Sequence, residues 1–153
     1  MSKTYRIAVI GGGKRGISLT RYFTRNPSRA TLVGLAEPRK DRQEEAQKNL
    51  ELPAGLIFHD HLELLDKCRD IDAAIVATDP TTHRQVACDC MERGLAIFLE
   101  KPMADTIENA REIADVAART ESLVQVGFNM RYAPFYEKLH EIVRSGTLGK
   151  VLS

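Results

Sequence analysis

Three glycines, Gly11, Gly13 and Gly16, follow the apolar run Ile7-Ala8-Val9-Ile10 at the spacing G-x-G-x-x-G. Each has a separate physical use. The first permits a tight turn, the second lets the backbone approach a pyrophosphate, and the third lets the next helix lie close to the strand. Gly12, Lys14 and Arg15 complete the loop. A pyrophosphate would rest on the unpaired N–H groups that start the following helix, at the positive end of its dipole. Glu37 stands about 20 residues beyond the last glycine, at the end of a second apolar run. A carboxylate there can accept hydrogen bonds from an adenosine ribose diol and would repel a 2′-phosphate. Arg39, Lys40 and Arg42 follow closely, and arginines so placed can accommodate that phosphate. The acid favours NAD and leaves NADP open. A solvated, charged helix start is the plainer alternative for these residues, and domains that bind the adenosine of S-adenosylmethionine share a glycine turn with an acid.

The elements that must hold these residues alternate along the chain. Strands are expected at 7–10, 30–36, 56–58, 72–78, 95–99 and 123–128. Helices are expected at 14–26, 38–50, 61–68, 81–93, 106–119 and 134–145, with Gly94 and Gly146 as stops. The strands read as continuous apolar runs, which fits an α/β fold: a doubly wound, mainly parallel sheet with helices on both faces. Ligands of such sheets bind at the carboxyl ends of the strands. Three polar clusters fall at those ends and are expected to share one crevice. They are Thr78-Asp79-Pro80 with Thr81, Thr82 and His83; Glu100-Lys101-Pro102; and Asn129-Met130-Arg131-Tyr132. Gly149 to Ser153 reads as the beginning of a further strand.

Composition removes several function classes. A length of 153 residues suits one domain with a real core. A net charge of +1 offers no electrostatic footprint for nucleic acid or an anionic membrane. No apolar run approaches a membrane span, and the start carries no signal-peptide pattern, so a cytoplasmic location is expected. The odd set Cys68, Cys88 and Cys90 argues against a disulfide framework. Cys88 and Cys90 would point to different faces of a helix, so free thiols are expected and no metal site. His59, His61 and His140 have no motif around them.

Longer pieces of the chain resemble one known family, the glucose–fructose oxidoreductase/inositol dehydrogenase (Gfo/Idh/MocA) family. They are the glycine turn, Ala77-Thr78-Asp79-Pro80 with His83, the run Gly94 to Ala104 containing Glu100-Lys101-Pro102, Val126 to Pro134, and Gly146 to Val151. The resemblance covers the whole chain in order, and Glu-Lys-Pro is its specific part. It implies a Rossmann fold and hydride transfer between a nicotinamide cofactor and the CH–OH group of a sugar, polyol or related metabolite. By that resemblance Lys101 is the catalytic residue, near the substrate hydroxyl and the nicotinamide. An ammonium there can polarise a carbonyl or help take a hydroxyl proton. Glu100 would orient Lys101 or contact the nicotinamide side. Pro102 would shape the loop, often after a cis peptide. His83 follows the Thr-Pro turn, and Asn129 and Arg131 line the crevice. Asp79 departs from the family, which more often runs directly from Thr to Pro, and could shift how that loop meets the nicotinamide ribose.

The resemblance also sets expectations about organisation. Residues 1–130 would be the dinucleotide-binding domain and 131–153 the start of a C-terminal substrate domain that this chain lacks. An apolar face between Phe128 and Val143 would then be exposed. The longer protein would be a homo-oligomer acting on a small molecule, and this chain alone would bind cofactor without turnover. A non-catalytic dinucleotide-sensing module is the alternative.

Overall fold

The computed structural model describes residues 3–150. Six strands form one parallel sheet: β1 (Tyr5–Ile10), β2 (Ala30–Ala36), β3 (Ile57–Phe58), β4 (Ala73–Val76), β5 (Ala96–Leu99) and β6 (Val124–Val126). Their order is β3-β2-β1-β4-β5-β6. The helices are α1 (Lys14–Thr24), α2 (Lys40–Leu50), α3 (His61–Lys67), α4 (Pro80–Met91), α5 (Ile107–Thr120) and α6 (Pro134–Arg144). The order reverses between β1 and β4, and such a switch point opens a crevice at the carboxyl edge of the sheet.

Side chains alternate across a strand, so a run apolar at every position needs cover on both sides. The core divides accordingly. Val9 and Leu35 pack with Ile17, Phe23, Ala46 and Leu52 on one side of the sheet. Ala8, Ile10 and Ala36 pack on the other with Leu64, Met91, Leu99 and Ile113. A bulge between β1 and β2 sets Ile7 opposite Leu32 but Ala8 opposite Gly34, skipping Val33. Gly34 is then held against Phe58, whose ring carbon would lie 2.8 Å from an added Cβ.

Several boundaries differ from expectation for local reasons. The second helix begins at Lys40 rather than Pro38, because the Glu37 carboxylate accepts the Arg39 N–H and Gln43 donates to the Glu37 carbonyl. The fourth begins at Pro80, with Asp79 capping it. A 3-10 turn at Ala54–Leu56 shortens the third strand to two residues. Gly149 takes φ +72 in a turn to Gly146 and is not in a strand, while residues 151–153 of the expected strand lie outside the described residues. Cys88 and Cys90 are buried free thiols and Cys68 is half-buried. Burial pushes the Cys90 thiol up to about 12.

No residue of α6 is buried. Phe128, Phe135, Leu139 and Val143 are all exposed, as expected for this stretch. Among the described residues, no helix is long and apolar enough to cross a membrane.

Candidate functional site

The glycine turn closes against the ends of β1 and β4. Gly11 has φ +107, and a Cβ there would lie 2.4 Å from the Ala77 carbonyl oxygen. A Cβ on Gly16 would lie 1.9 Å from the Gly11 carbonyl oxygen, so α1 sits as close to the turn as backbone allows. Gly13 caps α1, no side chain fills that cap, and the first turn holds no acid. A Cβ on Gly13 would meet only Arg42 Nη1 at 3.8 Å. Backbone N–H groups and open space thus coincide at the positive end of the helix dipole. Lys14 is exposed as the first residue of α1.

Glu37 is 3% exposed. Its Oε2 accepts the Gly12 N–H at 2.8 Å and its Oε1 accepts the Arg39 N–H at 3.0 Å. Two backbone donors fix the carboxylate, so the solvated helix start does not hold for this residue. The basic cluster is dispersed. Arg39 donates through Nε and Nη2 to Asp41, at 3.1 and 2.5 Å, and that guanidinium holds the Asp41 carboxyl below its usual value. Lys40 is exposed along α2, and only Arg42 reaches toward the glycine turn.

Two cavities flank the turn. One of about 310 Å³ has a mostly apolar surface, with Ile10, Ala36, Pro38 and Val86 in its lining beside Thr78, Thr81, Thr82 and Gln85 of the α4 end and Asp60 and His61 of the α3 start. It opens beside Glu37, and of its lining Thr78, Thr81 and Thr82 belong to a polar cluster expected from the sequence to share the crevice. Pro38, directly after the acid, was the available clue. The other cavity, about 390 Å³, is lined by Arg15, Ala77, Thr78, Glu100, Lys101 and Asn129. Thr78 lines both.

Glu100 is buried at the end of β5. Its Oε1 accepts from Arg15 Nε at 2.6 Å, and its Oε2 accepts the Lys101 N–H at 3.3 Å. Gly127 leaves room for it, since a Cβ there would lie 3.0 Å from Oε1. Sequence reasoning found both Arg15 and Glu100 but not their pairing, and it missed Gly127. Lys101 is exposed, and the Lys101–Pro102 peptide is cis.

His83 lies elsewhere than its candidacy for cofactor contact implied. It is 1% exposed, with Nδ1 2.9 Å from the Pro102 carbonyl oxygen and Nε2 3.3 Å from that of Thr78. The ring ties α4 to the loop after β5 and lines neither cavity. Asp79 faces α4: it accepts the Thr81 hydroxyl at 2.7 Å and the Thr81 N–H at 3.1 Å. Those bonds, the hydroxyl first, hold its carboxyl below the usual range. Pro80 takes the first position of that helix. Arg131 parts from Asn129 and lines a third hollow of about 580 Å³ with Phe128, Met130, Tyr136, Glu137 and His140.

Comparison with known proteins agrees with this geometry. The chain is 31% identical over 153 residues to an inositol 2-dehydrogenase of Streptomyces avermitilis and 30% identical over 152 residues to inositol 2-dehydrogenase 4 of Saccharopolyspora erythraea. Each alignment takes in 99% of this chain and 44% of the relative. The chain therefore spans less than half the length of these relatives. The crystal structure of myo-inositol 2-dehydrogenase from Lactobacillus plantarum superposes with a TM-score of 0.86 at 26% identity, covering 98% of this chain and 44% of that one. The family model described as an oxidoreductase family with an NAD-binding Rossmann fold matches residues 5–128. That match takes in the glycine turn, the fixed acid after β2 and the Glu100-Lys101 corner in one stretch, and it displaces the S-adenosylmethionine alternative: the chain belongs to the Gfo/Idh/MocA oxidoreductase family.

Proposed function

We propose that this chain is the cofactor-holding part of an NAD-dependent oxidoreductase that exchanges a hydride with a CH–OH carbon of a sugar, polyol or related hydroxy metabolite. Inositols are the first substrates to test, since the relatives named above are inositol dehydrogenases. One observation carries the reading: fixed Glu37, the open start of α1 and Lys101 all stand at the carboxyl edge of the sheet, beside two cavities that share Thr78. The residues fit a dinucleotide. Glu37 would hold the adenosine ribose, and the apolar cavity beside it would take the adenine. The N–H groups after Gly13 would take the pyrophosphate. The second cavity, at the ends of β4 and β5, would take the nicotinamide half.

The bound cofactor supplies the hydride chemistry. Lys101 would hold or move the proton at the substrate hydroxyl, and Asn129 lines the same cavity. We assign residues 1–130 to the dinucleotide-binding domain and 131–153 to the start of a substrate-binding unit. The exposed apolar side of α6 supports that division.

The purified 153-residue chain is expected to bind NADH in preference to NADPH and to show no turnover with myo- or scyllo-inositol. Replacing Glu37 by glutamine should weaken NADH about tenfold and narrow its margin over NADPH, because one acceptor becomes a donor and the repulsive charge disappears. Fluorescence titration with both cofactors measures this. An unchanged NADH affinity would remove Glu37 from the site, and rapid NAD reduction by the chain alone would remove the need for a second unit.

A further inference from the structure

The reading above uses the backbone of the glycine turn and leaves the Arg15 side chain without a task. That side chain leaves the first turn of α1, passes the end of β4 and meets Glu100 after β5. The pair is asymmetric: the arginine side chain is 43% exposed and the glutamate 8%. The carboxylate also accepts the Lys101 N–H, in space that the missing side chain of Gly127 leaves open. Both charges line the cavity proposed for the nicotinamide half, together with Lys101, whose charge is the same in every variant below.

The oxidised nicotinamide ring carries one positive charge and the reduced ring none. A buried carboxylate at this cavity favours the oxidised ring, and a guanidinium opposes it. We propose that Arg15 and Glu100 together set the relative affinity for NAD+ and NADH, Arg15 cancelling the preference for the oxidised form that Glu100 alone would impose. This rests on the dinucleotide reading above. A tie between α1 and the sheet would be the purely structural role of the pair, and its loss would weaken both forms alike. The ratio of the two dissociation constants separates the roles.

The test titrates the protein with NADH by fluorescence and displaces NADH with NAD+. A unit charge a few ångströms from the ring, at the effective dielectric of a half-open site, should move the ratio about tenfold. Arg15→Met is expected to lower Kd(NAD+)/Kd(NADH) by that factor, and Glu100→Gln to raise it by a similar one. Arg15→Lys should return the ratio close to the parent value. Arg15→Gln replaces Arg15→Met if the latter does not fold. The inference is overturned if either charge-removing variant stays within about twofold of the parent ratio, the scatter expected of changes that remove no charge from the cavity. It is overturned too if both move the ratio the same way. A parent protein that binds neither form overturns the dinucleotide reading as well, whereas normal binding with an unmoved ratio overturns this inference alone.

Discussion

Replacing Lys101 by alanine, in the enzyme at the full length of its relatives, is expected to lower hydride-transfer turnover by roughly 10²- to 10⁴-fold. NADH affinity should stay within about threefold, because the loss falls on an interaction made only as the reaction proceeds. The local structure separates the two effects. The backbone of Lys101 is held by Glu100, while its side chain is exposed at the cavity wall. Truncation therefore removes the ammonium and leaves the corner standing. Lys101→Arg should recover little, since a guanidinium does not give up its proton at working pH. Steady-state rates with an inositol substrate, paired with NADH titration, decide the matter. An unchanged rate in Lys101→Ala would remove Lys101 from the chemistry, and no rate in the parent enzyme would leave the protein as a dinucleotide-sensing module.

The second large effect is expected at Gly16. An alanine Cβ there would sit 1.9 Å from the Gly11 carbonyl oxygen, a backbone atom that cannot give way as the end of a flexible side chain could. Gly16→Ala should cost about 3 kcal/mol of stability, which lowers the melting temperature by roughly 10 °C for a chain of this size. Gly13→Ala is the control. Its φ of −73 suits any residue, and its Cβ would meet only the end of Arg42. It should melt within a few degrees of the parent yet bind NADH at least about tenfold more weakly, because the methyl occupies the ground a pyrophosphate needs. Thermal melts without cofactor, set beside NADH titrations, test the contrast. Equal melting temperatures for the two variants would contradict the close approach of α1.

Features with a fixed local offset were legible in the sequence. The glycine spacing and the acid about 20 residues later are set by one strand–turn–helix–strand unit, and both stand where that unit requires. The alternation of elements was legible because each apolar run matched one period. Asp79 was legible in principle as a cap, being an acid before Pro80 and Thr81, but the family pattern drew notice to the ribose instead. The Arg15–Glu100 pair was not legible. Its partners stand 85 residues apart and meet only because β4 and β5 extend the sheet on the far side of β1. His83 shows the same limit. Its ring lies between two carbonyl oxygens, and main-chain acceptors leave no mark on residue type. Of the cavity beside Glu37, the lining residues Ile10, Ala36 and Val86 are read from the sequence as ordinary core, and Asp60 and His61 reach it from the start of α3, about 20 residues from either neighbour.

The two backbone donors on Glu37 have a consequence for the order of events during binding. A free glutamate loses about 1.5–2 kcal/mol of rotamer freedom when it is immobilised. Here that loss has already occurred on folding, because Gly12 and Arg39 hold both oxygens before any ligand arrives. The end proposed for adenosine is therefore fixed before binding, whereas the Lys101 side chain, beside the other cavity, is exposed to solvent. A ligand entering from solution meets the rigid end at little ordering cost. On the function proposed above, Lys101 would be ordered only when substrate arrives, on a molecule already anchored.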